Sequence, residues 1–497
     1  MKKLLALFLA LLMLIPMLVA CQDATDKPGE TTVGDDGTKE PSETTAPWDH
    51  GIPKTDYKER EFYISVPLSG DMWGELSYDR EEDNGDAIES AIYKRNREVE
   101  DFFNITIKVE GHGPTDSQAP AFQSFALAGS DVIDMIAVGF YQSGKPFIVN
   151  DYVLPWNNVE NINLSRDYWN DSVTKTLSIL GQNYYIVGDV NWFTMSEVSV
   201  CYFNKQVAKN LESKIGNLYE AVEDNKWTFD TALAAATQAK SENGDGKWDE
   251  LDTYGAIQNT IIGVTGFLYA ANYKTVIMSD NGPQFNIQTE KMNNIISYIV
   301  GFCNDNNVSY TETFDYAHQS KGIDIFFDNR ALFYFDILMH AQSFRDREND
   351  FGILPYPKYD DKQKDYVSYA NQWGLACALP CTASDTARTG AILEVLSAKS
   401  LEYIVPAYYE KTLMGKIKRD DESEAMLDII FSNILYDFGI CYCTDLSYIF
   451  PKSLVEGNNK SVSSVYRRVE KKFKANYNEL YWHVYEKVNG TPHPDAT

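Results

Sequence analysis

The stretch DAIESAIYKRNREVEDFFNITIKVEG, residues 86–111, determines the kind of fold. Asp86 is a residue type that caps helices. The apolar face of the helix behind it consists of four residues at helical spacing: Ile88, Ile92, Val99 and Phe102. Residues 105–109 then alternate between apolar and polar side chains, which predicts a strand. A helix that leads directly into a strand is typical of an α/β unit.

The segments around this stretch repeat the same alternation. EFYISVPL (61–68) and DVIDMIAVG (131–139) both have the apolar character of strands, so strand and helix alternate within about 80 residues. Such an order predicts a parallel sheet with helices on both faces. The pattern restarts at NYYIVGD (183–189) and EVSVCYFNK (197–205), and residues 461–488 form a long amphipathic pattern. About 440 residues exceed the usual size of one core, so we expect two lobes.

The first 57 residues read as export and anchoring segments. Residues 1–20 combine two lysines with an apolar run, as in a secretory signal peptide. The sequence LVAC, ending at Cys21, resembles a bacterial lipobox, which predicts that Cys21 is the lipidated N-terminus of the mature chain. Residues 21–57 are rich in Thr, Asp, Glu, Gly and Pro and predict a disordered tether. No later apolar run reaches 18 residues, so we expect no further membrane span.

Charge and cysteine content limit the possible partners. A formal net charge of -28 disfavours nucleic acid as a partner. The cysteines after Cys21 allow disulfides, zinc thiolates or buried free thiols, and we favour free thiols because the C-x3-C and C-x-C spacings are unusual for zinc. These six residues are Cys201, Cys303, Cys377, Cys381, Cys441 and Cys443.

Several phrases in order resemble the extracellular solute-binding proteins of bacterial ABC importers, the family that includes maltose-binding protein. They are YKRNREVEDFFNITIKV, LAGSDVIDMIAVG, LPWNNVENINLSRDYWN, GQNYYIVGDVNWF, VCYFNKQV, NKWTFDTALAAATQAKSENGDGKWDELDTYG, NRALFYFD and DFGILPYPKYDDKQKDYVSY. The resemblance covers almost the whole mature chain. It implies an α/β, two-lobed type II periplasmic-binding-protein fold with a hinge and a ligand cleft between the lobes.

The resemblance also implies how the chain divides between the lobes. The first lobe is expected from residues 58–188, and the second from 189–365. Residues 366–415 return to the first lobe, and residues 416–497 form a helical part that closes on the second lobe. Such a protein is expected on the outer face of the bacterial cytoplasmic membrane, where it hands its solute to ABC permease subunits.

Aromatic residues make up 13% of the chain, and flat aromatic faces suit the C–H faces of sugar rings. Most of these aromatics are expected in the core, but those at strand ends and crossings are placed where α/β proteins bind ligands. The predicted ligand-binding residues are Asp71, Trp73, Phe140, Tyr141, Trp192, Asp336 and Trp373. Together with the family resemblance, this makes an oligosaccharide the expected solute, and a peptide or another organic solute is the alternative.

The segment SENGDGKWDELD, residues 241–252, resembles a calcium loop. The predicted ligands of a structural Ca²⁺ are Ser241, Asn243, Asp245, Lys247 through its carbonyl, Asp249 and Asp252. Serine in place of the first Asp and Asp252 in place of the final Glu weaken the match. The alternative is a solvated turn, and a single loop argues against a calcium sensor.

Two other classes of function compete with solute capture. A surface enzyme acting on glycans would share the aromatic and acidic composition, but no local motif marks a catalytic pair, and HExxH, GxSxG and P-loop motifs are absent from the sequence. We therefore expect a protein that is not an enzyme and has no cofactor besides calcium. A lipid-anchored adhesion or sensor protein with the same fold is the second alternative.

Overall fold

The computed structural model describes residues 46–68, 77–114, 116–312, 319–344, 347–409, 421–443 and 450–496. The strands of the described part, in chain order, are β1 (Arg60–Val66), β2 (Ile105–Gly111), β3 (Met135–Gly139), β4 (Val153–Leu154), β5 (Tyr185–Ile186), β6 (Ser199–Asn204), β7 (Tyr254–Asn259), β8 (Val276–Ser279), β9 (Gly282–Phe285), β10 (Ser309–Glu312), β11 (Ala331–Ile337), β12 (Phe351–Leu354), β13 (Ser368–Tyr369), β14 (Leu375–Pro380) and β15 (Ile434–Leu435).

The α-helices follow the same order. They are α1 (Ala87–Phe103), α2 (Gln118–Ala128), α3 (Phe140–Val149), α4 (Asp171–Leu177), α5 (Phe193–Ser196), α6 (Lys205–Ile215), α7 (Leu218–Glu223), α8 (Phe229–Ala239), α9 (Ile262–Ala270), α10 (Glu290–Cys303), α11 (Gln319–Ile325), α12 (His340–Phe344), α13 (Thr386–Tyr408), α14 (Asp421–Ser432), α15 (Phe438–Tyr442), α16 (Phe450–Glu456) and α17 (Val462–Asn489). Short 3-10 turns at Trp156–Asn158, Asp189–Asn191 and Pro494–Ala496 and a π turn at Phe326–Arg330 complete the described elements.

The first sheet confirms the predicted α/β arrangement. Its strand order is β2-β1-β3-β14-β4, with β5 also paired to β14. Strand β1 is parallel to both β2 and β3, as predicted, whereas β14 runs antiparallel to β3, β4 and β5, so the sheet is mixed rather than wholly parallel. One apolar cluster combines side chains of β1, α1 and α13: Phe62, Ile64, Val66, Val99 and Leu393. Tyr63 belongs to the other main cluster, with Phe122 of α2 and Phe147 of α3. Alternate residues of β1 therefore enter separate cores, as the period of two requires.

The junction between α1 and β2 forms as its sequence predicts. The Asp86 carboxylate accepts hydrogen bonds from the backbone amides of Ile88 and Glu89 and so caps the helix. Asn104 ends the helix in the left-handed conformation, with φ 50°, which lets the chain turn at once into β2. The last turn differs from the prediction, because Phe103 rather than Phe102 is fully buried.

The second sheet has the strand order β10-β7-β11-β6-β12. Strands β7, β10 and β11 are parallel to one another, and β6 runs antiparallel between β11 and β12. The two sheets use separate parts of the chain, since all five strands of the second sheet lie between β5 and β14. Each sheet has its own helices, as expected for a protein with two lobes.

Two segments connect the sheets, residues 187–198 and 355–374, and they contact each other. Val198 pairs with Ala370 in an isolated antiparallel bridge. The Thr194 hydroxyl donates to the carbonyl of Leu375 and accepts from its amide, both at 3.0 Å. The crossing is therefore a hydrogen-bonded unit that joins the beginning of β6 to the beginning of β14.

The N-terminal end of the described chain corrects the predicted tether. Residues 46–57 fall within the expected disordered range of 21–57, yet Trp48, Ile52 and Tyr57 pack on the core of the first lobe. The amide of Tyr57 donates to the carbonyl of Phe103 at 2.8 Å. These three side chains bury apolar surface against that core, and this burial stabilises the conformation of residues 46–57.

The C-terminal helix α17 extends from Val462 to Asn489, close to the predicted 461–488. It contacts α3 of the first lobe as well as α10, α16 and β9 next to the second. In the described part of the chain no helix combines the length and apolarity needed to cross a membrane. The six cysteines from Cys201 onward are free thiols, and all but Cys381 are buried.

Candidate functional site

The strand ends of both sheets meet at the crossing segments. Leu375 of β14 pairs with Gly139 at the end of β3, and Ile337 at the end of β11 pairs with Ser199 at the start of β6. The amide of Leu338 donates to the carbonyl of Val198 at 2.9 Å. Ligands of α/β proteins bind outside the carboxyl ends of strands, so this region is the candidate site.

We call this region the junction. It is formed by ten side chains from both sheets and the crossings: Tyr141, Glu197, Tyr269, Asp336, His340, Tyr369, Asn371, Gln372, Trp373 and Asp437. Apart from the half-buried Tyr141 and Trp373 and the mostly buried His340, all of them are buried. The junction thus combines a partly exposed aromatic pair with a larger set of buried or mostly buried side chains.

Two predicted ligand-binding residues, Tyr141 and Trp373, form the aromatic part of the junction. Their ring centroids are 4.4 Å apart and their planes are inclined by 34°. The amide of Tyr141 donates to the carbonyl of Gln372 at 2.9 Å, which fixes the start of α3 against the crossing. Both rings remain partly exposed, so the pair offers an aromatic face of the kind on which sugar rings pack.

The polar side chains of the second crossing are connected to Asp437 by hydrogen bonds and one contact between tyrosine rings. The Tyr369 hydroxyl lies 2.7 Å from Gln372 Oε1 and 3.2 Å from Asn371 Oδ1. The ring of Tyr369 is 5.1 Å from that of Tyr269, whose hydroxyl donates to Asp437 Oδ1 at 3.0 Å. Burial raises the pKa of Asp437 to about 6, although the hydrogen bonds it accepts act in the opposite direction.

Asp336 belongs to a second polar group on the side of the second sheet. Its carboxylate accepts hydrogen bonds from the Tyr334 hydroxyl at 2.9 Å and the Asn259 amide at 3.4 Å, and His340 Nε2 lies 3.5 Å away. Burial acts to lower the pKa of His340, but the carboxylates of Asp336 and Glu197 outweigh it, so the pKa is raised. The predicted ligand residue Asp336 is thus at the junction, with its oxygens engaged by neighbouring side chains.

Two other predicted ligand-binding residues, Phe140 and Trp192, are packed in the core of the described structure. Phe140 is 1% exposed and packs edge-on against Tyr185, with ring centroids 5.7 Å apart. Trp192 is also 1% exposed, and its indole nitrogen donates to the carbonyl of Ser77 at 2.9 Å. Both rings fill the core beside the crossings, as most large aromatic side chains of a folded protein do. Asp71 and Trp73 lie outside the described residues.

Sequence reasoning missed most polar members of the junction. Tyr369, Asn371 and Gln372 stand beside Trp373 in the phrase YANQWG, but nothing local distinguishes them from other polar residues. Asp189, at the start of the first crossing, was also missed; burial raises its pKa to about 8, and the nearby Asp167 adds to the shift. These residues become visible only when chain segments nearly 200 residues apart are placed together.

The predicted calcium loop, residues 241–252, is a turn closed by its own hydrogen bonds. Asp252 is 1% exposed, and its two carboxylate oxygens accept from the amides of Asn243 at 2.8 Å and Asp249 at 2.7 Å. Among the described residues no group of three or more His, Cys, Asp or Glu side chains is placed to hold a metal ion. Two loop amides engage the Asp252 carboxylate, and calcium binding here stays a prediction from sequence.

We expect Asp252→Ala to reduce the free energy of unfolding by about 1–3 kcal/mol, since it removes a buried carboxylate and leaves two partly buried amides without their acceptor. The loss should be the same in calcium and in EDTA, measured by urea unfolding. The exposed Asp245, which accepts from the amide of Lys247 at 2.8 Å, supplies the control Asp245→Ala, with a smaller loss. A calcium-induced rise in the melting temperature of the wild-type protein that is absent in Asp252→Ala would show that the loop binds calcium.

The chain is similar in structure to solute-binding proteins. No model of a protein family matches the sequence, and no curated protein matches it significantly. The structure of the ABC substrate-binding protein Lmo0181 from Listeria monocytogenes in complex with cycloalternan is similar over 84% of this chain and 98% of its own, with 13% identity and a TM-score of 0.51.

Two further solved structures have the same relation to the chain. A cyclo/maltodextrin-binding protein complexed with maltotetraose matches over 88% of this chain and 100% of its own, with 12% identity and a TM-score of 0.53. UgpB from Mycobacterium tuberculosis in complex with glycerophosphocholine matches over 84% and 98%, also with 12% identity and a TM-score of 0.53. The chain therefore has the two-lobed fold of maltodextrin-binding and related ABC solute-binding proteins.

Proposed function

We propose that the protein is the solute-binding component of an ABC importer, and that it captures an oligosaccharide at the junction between its two lobes. The observation that carries this proposal is the partly exposed pair of Tyr141 and Trp373 next to the buried amides of Asn371 and Gln372. An aromatic face with a few fixed polar groups is the usual composition of a small-molecule site.

Two arguments support an oligosaccharide. Tyr141 and Trp373 can pack against the C–H face of a sugar ring, while amide and carboxyl groups exchange hydrogen bonds with its hydroxyls. The solved structures with this fold include complexes with maltotriose and maltotetraose. Contacts made by both lobes to one solute would favour a closed conformation, because only that conformation provides all of them.

The remaining parts of the proposal rest on the N-terminal sequence. Cleavage before Cys21 and lipidation of that residue would anchor the chain on the outer face of the cytoplasmic membrane. The partners there would be the permease subunits and their ATPase. The proteins of similar structure named above are binding proteins, and we propose binding without chemical conversion for this chain as well.

A thermal-shift screen of the chain from residue 22 tests the proposed function. Neutral oligosaccharides, peptides and phosphodiesters would be compared at concentrations up to the millimolar range. A solute at a hundred times its dissociation constant should stabilise the protein by about 3 kcal/mol, which is an easily measured shift. Recovery of the solute unchanged after incubation separates a binder from an enzyme.

Three other outcomes have definite meanings. A shift with peptides alone would keep the binding role and replace the oligosaccharide. Hydrolysis of an oligosaccharide would favour the enzyme. No shift with any solute, in a sample that unfolds cooperatively, would contradict solute capture and favour an adhesion or sensor role.

A further inference from the structure

The side chain of Gln372 is held at one end only. It is 0% exposed, and the Tyr369 hydroxyl donates to its Oε1 at 2.7 Å. Its Nε2 has no hydrogen-bond partner among the described residues. A buried amide whose oxygen is fixed by a tyrosine presents its N–H groups in one direction, and those groups are donors without an acceptor.

Asn371 is in a similar position on the other side of the same hydroxyl. It is 1% exposed, its Oδ1 lies 3.2 Å from the Tyr369 hydroxyl, and its Nδ2 has no partner among the described residues. One hydroxyl proton serves one acceptor well, and the shorter distance assigns it to Gln372. Whichever end of the Asn371 amide faces the hydroxyl, the other end is available for hydrogen bonding.

Backbone hydrogen bonds hold the segment that carries these two amides. The amide of Asn371 donates to the carbonyl of Glu197 at 3.0 Å, and the carbonyl of Gln372 accepts from Tyr141 at 2.9 Å. The amide of Gly374 donates to the carbonyl of Asn371 at 3.0 Å. The backbone of Asn371 and Gln372 is thus held by the first crossing and by the start of α3. Buried polar groups without partners are rare in proteins and concentrate where a ligand or water completes them.

The charges around the amides restrict what they can accept. The junction contains the carboxyl groups of Glu197, Asp336 and Asp437, and His340 offsets one of them. A carboxylate or phosphate brought to the amides would meet this negative charge in surroundings of low dielectric constant, where repulsion is strong. A hydroxyl or ether oxygen accepts the same hydrogen bonds without that repulsion.

We propose that Gln372 and Asn371, positioned by Tyr369, are the hydrogen-bonding determinants that select an uncharged, hydroxyl-bearing solute over its anionic counterparts. This inference rests on the proposed solute-binding function and gives the chemistry of recognition at that site. Tyr369 is a positioning residue, because it acts through the orientation of the two amides. The amides are buried in the described structure, so the inference requires a separation of the lobes that gives the solute access to them.

A first experiment needs no identified solute. Gln372→Leu removes an amide whose nitrogen has no partner, and the Tyr369 hydroxyl that it releases still has Asn371 Oδ1 as an acceptor at 3.2 Å. The melting temperature without solute should therefore stay within about 2 °C or rise. The matched control is Gln363→Leu, since Gln363 uses both ends, accepting from Tyr359 at 3.2 Å and donating to Ala270 at 2.8 Å. The control should lower the melting temperature. An equal or larger drop in Gln372→Leu would make Gln372 structural and overturn the inference.

A second experiment measures selectivity by calorimetric titration with maltotetraose, cellotetraose, a galacturonate tetrasaccharide and glycerophosphocholine. We expect a neutral tetrasaccharide to bind the wild-type protein. Tyr369→Phe should lower its affinity about tenfold, and Gln372→Leu should lower it by more than tenfold. Tyr366→Phe, which removes a buried hydroxyl bonded to the Val222 carbonyl at 3.2 Å, should leave affinity unchanged. Tighter binding of the anionic galacturonate tetrasaccharide or of the zwitterionic glycerophosphocholine than of the neutral tetrasaccharides would overturn the inference and leave the proposed function intact. Full affinity in Tyr369→Phe would do the same. Silence of all four probes would count against the proposed function as well.

Discussion

Replacement of Trp373 by alanine should weaken binding of the solute about 100-fold, equivalent to about 2.8 kcal/mol. The centroid of the Trp373 ring lies 4.4 Å from that of Tyr141, and the two rings together form the partly exposed aromatic face of the junction. Its loss removes contact area and also leaves Tyr141 without support. Titration calorimetry of the variant with the solute found in the thermal-shift screen measures the effect.

Trp373→Phe should lose less, because a smaller ring still packs on Tyr141. The matched control is Trp482→Ala on α17, where a half-buried indole stacks on His493 with centroids 6.0 Å apart. That variant should bind normally. Equal affinity in wild type and Trp373→Ala would place the solute elsewhere and remove the main support of the proposed function.

Replacement of Arg388 by methionine should cost about 3–5 kcal/mol of the free energy of unfolding, the largest loss of stability that we predict. Arg388 is 3% exposed; it pairs with the carboxylate of Asp134 and donates to the carbonyl of Glu61 at 3.0 Å. Methionine fills the same space but leaves Asp134 as a buried charge without its counter-ion. Denaturant unfolding of both proteins measures the difference.

The loss should depend on pH. Burial raises the pKa of Asp134, although the Tyr63 amide and Arg388 act to lower it, and without Arg388 the pKa rises further. An acid whose pKa is higher in the folded protein loses stability as pH rises above its unfolded value of about 4. The deficit of Arg388→Met should therefore shrink as the pH is lowered from 7 towards 4.

The control for this prediction is Arg60→Met. Arg60 pairs with Asp385 at 3.0 Å on the exposed side of the same helix end, and such pairs contribute less than about 1 kcal/mol. A similar loss in both variants, or a deficit that does not change with pH, would show that the arginine side chain matters for packing rather than charge.

The sequence by itself determined the elements whose signals are local. The helix from Ala87 to Phe103 was predicted from Asp86 and a repeat of apolar residues, and the C-terminal helix from a similar repeat. The alternating run at 105–109 formed a strand in register with β1. Period, caps and turn residues act over a few positions, so one chain segment contains the information that specifies them.

Only the tertiary structure decided which residues meet at the junction. Trp192 and Trp373 each lie within a crossing, yet Trp192 is buried with its indole bonded to Ser77, and Trp373 is partly exposed beside the ring of Tyr141. Likewise the calcium-like spacing at 241–252 became a turn in which Asp252 accepts the loop's own amides. Burial and pairing depend on segments far apart in the chain, and the free energy of those contacts is set by the whole fold rather than by any local pattern.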